Sequence, residues 1–134
     1  MLSFFLDVIS DITEYDLARV EILKLLPAHD YTHSDRLKIT QTLIQIFFNK
    51  SDDHLVRQWA AIAIQHYMDT TSAIEAIRKI VLDSEEGVVL RHNAFWALRN
   101  LGPTNQSVEV MRLLVSDEEF RSPATRILKE WGIT

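Results

Sequence analysis

Apolar residues return along this chain at helical intervals, and the helical pattern itself returns. From Val56, apolar or small residues stand at i+4, i+7, i+8 and i+11 as Ala60, Ala63, Ile64 and Tyr67, one stripe of a 3.6-residue period. Adding 34 gives Leu90, Ala94, Ala97, Leu98 and Leu101. The stripe continues at a spacing of 30 as Phe120, Ala124, Ile127, Leu128 and Trp131, and it is preceded at 38 by Ala18, Ile22, Leu25 and Leu26. Each of these four segments follows another with its own stripe: Leu2, Phe5, Val8 and Ile9; Thr40, Leu43, Ile46 and Phe47; Ile74, Ile77, Ile80 and Val81; Val108, Met111, Leu114 and Val115. Polar breaks at "PAHDYTHSD", "DTT" and "GPTN" separate successive pairs. The pattern predicts eight helices in four hairpins, over approximately 1–29, 34–68, 69–102 and 103–134, and requires no strand.

A lone helical hairpin cannot bury its apolar stripe, so the four units are expected to stack around one elongated core in a single all-α domain spanning 1–134. Ala60, Ala63, Ala94, Ala97 and Ala124 mark places where helices approach closely, and a larger side chain there would overpack at roughly 1–3 kcal/mol. Ser116 to Glu119 reads as a capping box, and Asp52, Asp53, Glu85, Glu86, Glu118 and Glu119 put negative charge at helix starts. Asp52, Asp53, Glu85 and Glu86 form an acidic edge that helix capping explains, with partner binding as the second reading.

With these residues in view, the chain resembles the HEAT-repeat family, including its short phycobilin-lyase-type repeats. In that family an Asp-containing turn leads into a second helix that opens on an aliphatic-Arg pair. Asp11, Asn49, Asp83 and Asp117 stand at the turn position, and Arg19, Arg57, Arg91 and Arg121 near the start of the second helices. The resemblance implies an α-solenoid of four hairpins stacked as a right-handed superhelix. It also implies a turn ladder in which the Asp and Arg bond from repeat to repeat. Asn49 accepts a hydrogen bond but makes no ion pair, so the ladder is expected to weaken between the first two repeats.

Composition narrows the function. With 47% hydrophobic residues, three Gly and three Pro, the chain reads as a helix-rich globule, and it has no uninterrupted apolar run long enough to cross a membrane. The opening "MLSFFLDVIS" lacks a basic n-region and carries Asp7 within its apolar run, so a cytoplasmic location is expected rather than a signal peptide. The absence of Cys removes disulfides and thiolate chemistry. A net charge of -5 disfavours general nucleic-acid binding and permits a basic protein partner.

The resemblance places function mainly on the concave layer lined by the second helices. Opposite the core stripe, helical phase puts Gln58, Ala61, Ile62 and Gln65 on one such helix, His92, Phe95, Trp96 and Arg99 on the next, and Ser122, Thr125, Arg126 and Lys129 on the last. Phe95 and Trp96 cannot both lie in the core stripe, and Trp59 raises the same question. The candidate protein-binding set is Trp59, Gln65, His92, Phe95, Trp96, Arg99 and Arg126, since exposed Trp beside Arg is the chemistry of interface hot spots; gap filling between helices is the competing role for the aromatics. No catalytic, cofactor or metal set assembles from spacing. His29 and His33 bracket a loop with no Glu after the first His, and three scattered Gly make no phosphate-cradling loop. The expected function is therefore a non-catalytic protein-binding module, of the kind that bacterial immunity proteins exemplify as inhibitors of toxin domains, or a scaffold. A repeat-type bilin lyase or chromophore chaperone and a DNA-lesion glycosylase-like enzyme are the alternatives. The oligomeric state is left open.

Overall fold

A computed structural model describes residues 2–133, and among them the secondary structure is helical with no strand. The helices are α1 (Leu2–Ser10), α2 (Asp16–Leu25), α3 (His33–Phe48), α4 (His54–Ala63), α5 (Thr71–Leu82), α6 (Val88–Leu101), α7 (Asn105–Leu114) and α8 (Arg121–Glu130), with short 3-10 turns at Leu26–Ala28 and Ile64–Tyr67. None is long and apolar enough to cross a membrane.

Side-chain caps set several starts: Thr32, Asp53 and Thr70 accept from backbone N–H groups of Asp35, of Leu55 and Val56, and of Ala73. A reciprocal capping box lies at Thr104 and Ser107. The box expected at Ser116 to Glu119 does not form. There Asp117 Oδ1 accepts from the Glu119 and Phe120 amides, which holds the chain in a turn and delays α8 to Arg121. Gly102, at φ 86, ends α6 in a left-handed conformation that an L side chain rarely adopts.

The helices pack as sequential pairs, α1 with α2, α3 with α4, α5 with α6 and α7 with α8. Each pair rests on the next: α1 meets α3, α3 meets α5 and α5 meets α7, while α2 meets α4 and α4 meets α6. One hydrophobic cluster runs through all four pairs, from Ile9 through Phe47, Val56, Ile77 and Leu98 to Phe120 and Ile127. The expected stripes of α4 and α6 are buried at Val56, Ala60, Ala63, Ile64, Leu90, Ala94, Ala97 and Leu98. The stripe set for α2 is corrected, because Val20, Leu23 and Leu26 are buried whereas Leu25 is exposed. Leu25 occupies the place of Ala63 and Ala97, whose side chains a preceding pair covers.

Buried arginines tie successive pairs together. Arg19 donates through Nε and Nη2 to the Ile9 carbonyl at 3.0 and 2.6 Å, and through Nη1 and Nη2 to both carboxylate oxygens of Asp52 at 2.7 Å. Arg57 repeats this with the Phe47 carbonyl at 3.0 and 2.7 Å and with Glu86 at 3.2 and 2.9 Å. Arg91 does so with the Val81 carbonyl and Asp117.

The expected weak rung at Asn49 is therefore overturned. The guanidinium reaches forward to the carboxylate of the following turn, three residues beyond the Asn49 and Asp83 positions. Those positions do another job: Asp11, Asn49 and Asp83 each accept from the backbone amide two residues on, through Oδ1 to Thr13, Ser51 and Glu85. An amide oxygen closes such a turn as well as a carboxylate does. In the shortened last turn Asp117 performs both tasks, Oδ1 on the backbone and Oδ2 on Arg91.

Candidate functional site

The register of α6 puts Trp96 and Arg99 side by side on its outward surface, one turn apart. Trp96 is 46% exposed, whereas its neighbour Phe95 is 2% exposed. The Arg99 guanidinium carbon lies 4.9 Å from the indole centroid, within cation–π range. Across from them α8 presents Pro123, Arg126, Ile127 and Glu130, and the two helices enclose a cleft of about 440 Å³ that His92 and Phe95 also line.

Phe95 is the floor of this cleft, not part of its mouth. Its ring stacks on Phe120 at 5.1 Å and 26°. Phe95 and Ala61, expected on a free face from helical phase, are buried because second helices pack side by side, so a residue aimed at the next pair is covered. His92 Nε2 lies 2.7 Å from Glu119 Oε1, with its ring 4.7 Å from Phe120, so it closes the end of the cleft nearest the turn.

Trp59 and Gln65 stand apart from that cleft. Trp59 is half-buried against the core, and the Lys24 ammonium sits 4.7 Å from its ring centroid, covering it from α2. Gln65 accepts a hydrogen bond from Asn100 Nδ2 at 2.9 Å and lines a separate hollow with Arg36, His66 and Asp69.

The acidic edge is largely spent within the molecule. The Asp52 and Glu86 side chains are buried in the arginine rungs, and Asp53 caps α4 through the Leu55 and Val56 amides. Burial raises the Asp52 carboxyl pKa, but the hydrogen bonds from Arg19 and the Asp53 amide outweigh it and hold the group below the ordinary carboxylate range. Glu86 behaves likewise, desolvation opposed by Arg57 and the Gly87 amide, and so does Asp117 against Arg91 and the Glu119 amide. Among the four acidic residues only Glu85 is left exposed to solvent.

A row of exposed apolar residues escaped the phase reading. Leu17, Leu55 and Val89 occupy the same position near the starts of α2, α4 and α6, and all three remain exposed. Trp96 follows Val89 by seven residues, which returns it to the same side of α6. The signal is in the sequence, since the row recurs at the 38 and 34 spacings of the core stripe, but it lies at the helix starts and not opposite the stripe. The last pair places Glu119 and Arg126 where the α6 row has Val89 and Trp96, so the apolar face ends in charge. No family profile, curated protein or solved structure matches the chain.

Proposed function

We propose that the chain is a short HEAT-like α-solenoid acting as a non-catalytic protein-binding module, an inhibitor or scaffold whose partner lies along the face of the second helices. The observation that carries this reading is the exposed apolar row Leu17, Leu55 and Val89 leading to Trp96 and its cleft. Large apolar side chains kept at one position in three successive helices cost solubility and add nothing to the core, which is the usual mark of a docking surface. The cleft sets the chemistry of the anchor. An apolar side chain fits against Trp96 and Ile127, and a carboxylate beside it meets Arg99 and Arg126. Because Asp52, Asp53 and Glu86 are engaged internally, the acidic edge contributes long-range steering rather than contacts.

The test is capture of partner protein from the cells of origin by the parent and by the double variant Trp96→Ala, Arg99→Glu, with circular dichroism run beside it. Neither residue belongs to the core, so the variant is expected to fold. It should hold the captured partner at least tenfold more weakly, about 1.4 kcal/mol. A folded double variant that binds like the parent would remove the cleft from the reading.

A further inference from the structure

Among the described residues the arginine ladder is complete inside the molecule and open at both ends, and the two ends match each other. In the interior, each rung joins a guanidinium held by a carbonyl of its own pair to a carboxylate of the following turn, and in the first two rungs that carboxylate also accepts from the next backbone amide. Asp52 Oδ1 accepts from the Asp53 amide at 2.7 Å and Glu86 Oε1 from the Gly87 amide at 3.0 Å. Glu14 has the same arrangement: its Oε1 accepts from the Tyr15 amide at 3.1 Å, immediately before α2. It is the acceptor half of a rung, and among the described residues no arginine reaches it. At the far end Arg121 Nε donates to the Val115 carbonyl at 3.2 Å, the carbonyl that corresponds to Ile9, Phe47 and Val81. It is the donor half of a rung. Arg121 is exposed, and among the described residues it pairs with no carboxylate.

The surfaces around the two half-rungs follow the same logic. On the α1–α2 end, Phe4 is 64% exposed at a position that is partly exposed Thr42 in the second pair and buried as Ala76 and Val110 in the third and fourth, and Leu25 is 53% exposed where later pairs bury Ala63, Ala97 and Ile127. Exposed Asp7, Asp11, Asp16 and Glu21 make that end acidic. On the α7–α8 end, Thr125 is exposed where Ala61 and Phe95 are buried, and Arg112, Arg121, Arg126 and Lys129, with Glu118 as an acid among them, are exposed around partly buried Val115, Leu128 and Trp131. One end is apolar and acidic, the other basic with an apolar floor.

From these we infer that copies of this chain associate head to tail, the α7–α8 end of one against the α1–α2 end of the next, with Arg121 of one copy completing the rung at Glu14 of the other. The second copy is the occupant that supplies the missing guanidinium, the opposite charge and an apolar floor together. Such a contact is heterologous, so it builds linear oligomers rather than a closed two-fold dimer. Ile22 stands where Ala60, Ala94 and Ala124 let pairs approach closely. Its extra bulk holds the joint looser than the interior ones and makes the association reversible.

Sedimentation velocity of the full chain over a concentration series tests this, with Glu14→Arg and Arg121→Glu as variants. Both residues lie outside the interior rungs, and circular dichroism should report an unchanged fold. The parent is expected to grow with protein concentration and to dissociate as salt is raised. Each variant alone should weaken association at least tenfold, because like charges then meet at the joint. An equimolar mixture of the two should recover it: the two reversed charges are opposite in sign and meet at one joint, while the joint that follows keeps its native pair. A parent that stays monomeric at every concentration overturns the inference. So does association that Arg121→Glu leaves intact, which would point to a two-fold contact through the apolar α1–α2 end, and so does a mixture that fails to recover.

Discussion

Arg57 and Arg121 occupy the same place on their helices, yet one is locked inside the molecule and the other stands in solvent. Arg57 donates to the Phe47 carbonyl and to both oxygens of Glu86, with both side chains nearly inaccessible. Among the described residues Arg121 keeps only the carbonyl bond to Val115. The difference teaches that the carboxylate of the following pair, rather than the helix that carries the arginine, turns a surface cation into a structural one. It follows that the same residue type at the same helical position carries different energetic weight at different points along the chain.

Truncation is the most direct way to break that comparison. Arg57→Ala strands the Glu86 carboxylate in a buried position and leaves the Phe47 carbonyl without two of its donors, so it should cost about 3–5 kcal/mol. Arg121→Ala removes an exposed side chain and should stay within about 0.5 kcal/mol. Chemical denaturation of both variants beside the parent measures the two values. Similar losses would mean that the carbonyl bond common to both arginines carries the stability and that the carboxylate adds little.

Acid sharpens the same contrast. In the parent, Arg57 and the Gly87 amide hold the Glu86 carboxyl below its ordinary value, against the pull of burial. A folded-state pKa lower than the unfolded one contributes stability above the ordinary carboxylate range and loses it as pH falls through the lowered value. In Arg57→Ala burial is opposed only by the Gly87 amide and the Lys50 charge, so the folded pKa rises above that of the parent, and protonation relieves the stranded charge. The stability gap between Arg57→Ala and the parent should therefore be widest near neutrality and narrow as pH drops below about 4. The gap for Arg121→Ala should not change with pH over that interval. Denaturation midpoints at a series of pH values read both, and a gap for Arg57→Ala that widens on acidification would contradict the assignment of Glu86 as its partner.

How much of this was legible in the sequence depends on the range of the interaction. The stripes of α4 and α6 were legible because periodicity is local, and each helix there is covered on both sides by neighbours that repeat it. The stripe of α2 was not, since whether Leu25 is core or surface is decided by what lies before it in space and not by its own phase. Phe95 and Trp96 differ by one residue and about a hundred degrees of helical phase, and only the position of Phe120 across the joint makes one a floor and the other a lip. The cleft itself needed the relation of α6 to α8, which the shortened turn before Arg121 sets and no spacing within either helix reports. The arginines were recognisable as a series, and Asp117 was among the turn residues named for them, whereas Asn49 and Asp83 were named where Asp52 and Glu86 three residues on accept the arginines; the fold divides two jobs between those positions.

That division makes the smallest and most specific prediction. If Asn49 were the acceptor for an arginine, Asn49→Asp would convert a neutral hydrogen bond into an ion pair and stabilise the chain. In the structure Asn49 Oδ1 accepts from the Ser51 amide at 3.1 Å, a task that Asp11 and Asp83 perform with a carboxylate in their own turns. Arg19 is already satisfied by Asp52 and the Ile9 carbonyl, and Arg57 by Glu86 and the Phe47 carbonyl. No guanidinium is left for a new charge at 49 to pair with, so Asn49→Asp should change stability by no more than about 0.5 kcal/mol. Asn49→Ala, which removes the turn acceptor altogether, should cost about 1 kcal/mol, the net value of one hydrogen bond. Denaturant midpoints for the two substitutions separate the roles: a gain above about 1 kcal/mol for Asn49→Asp would return Asn49 to the ladder, whereas a near-neutral Asp beside a costly Ala leaves it in the turn.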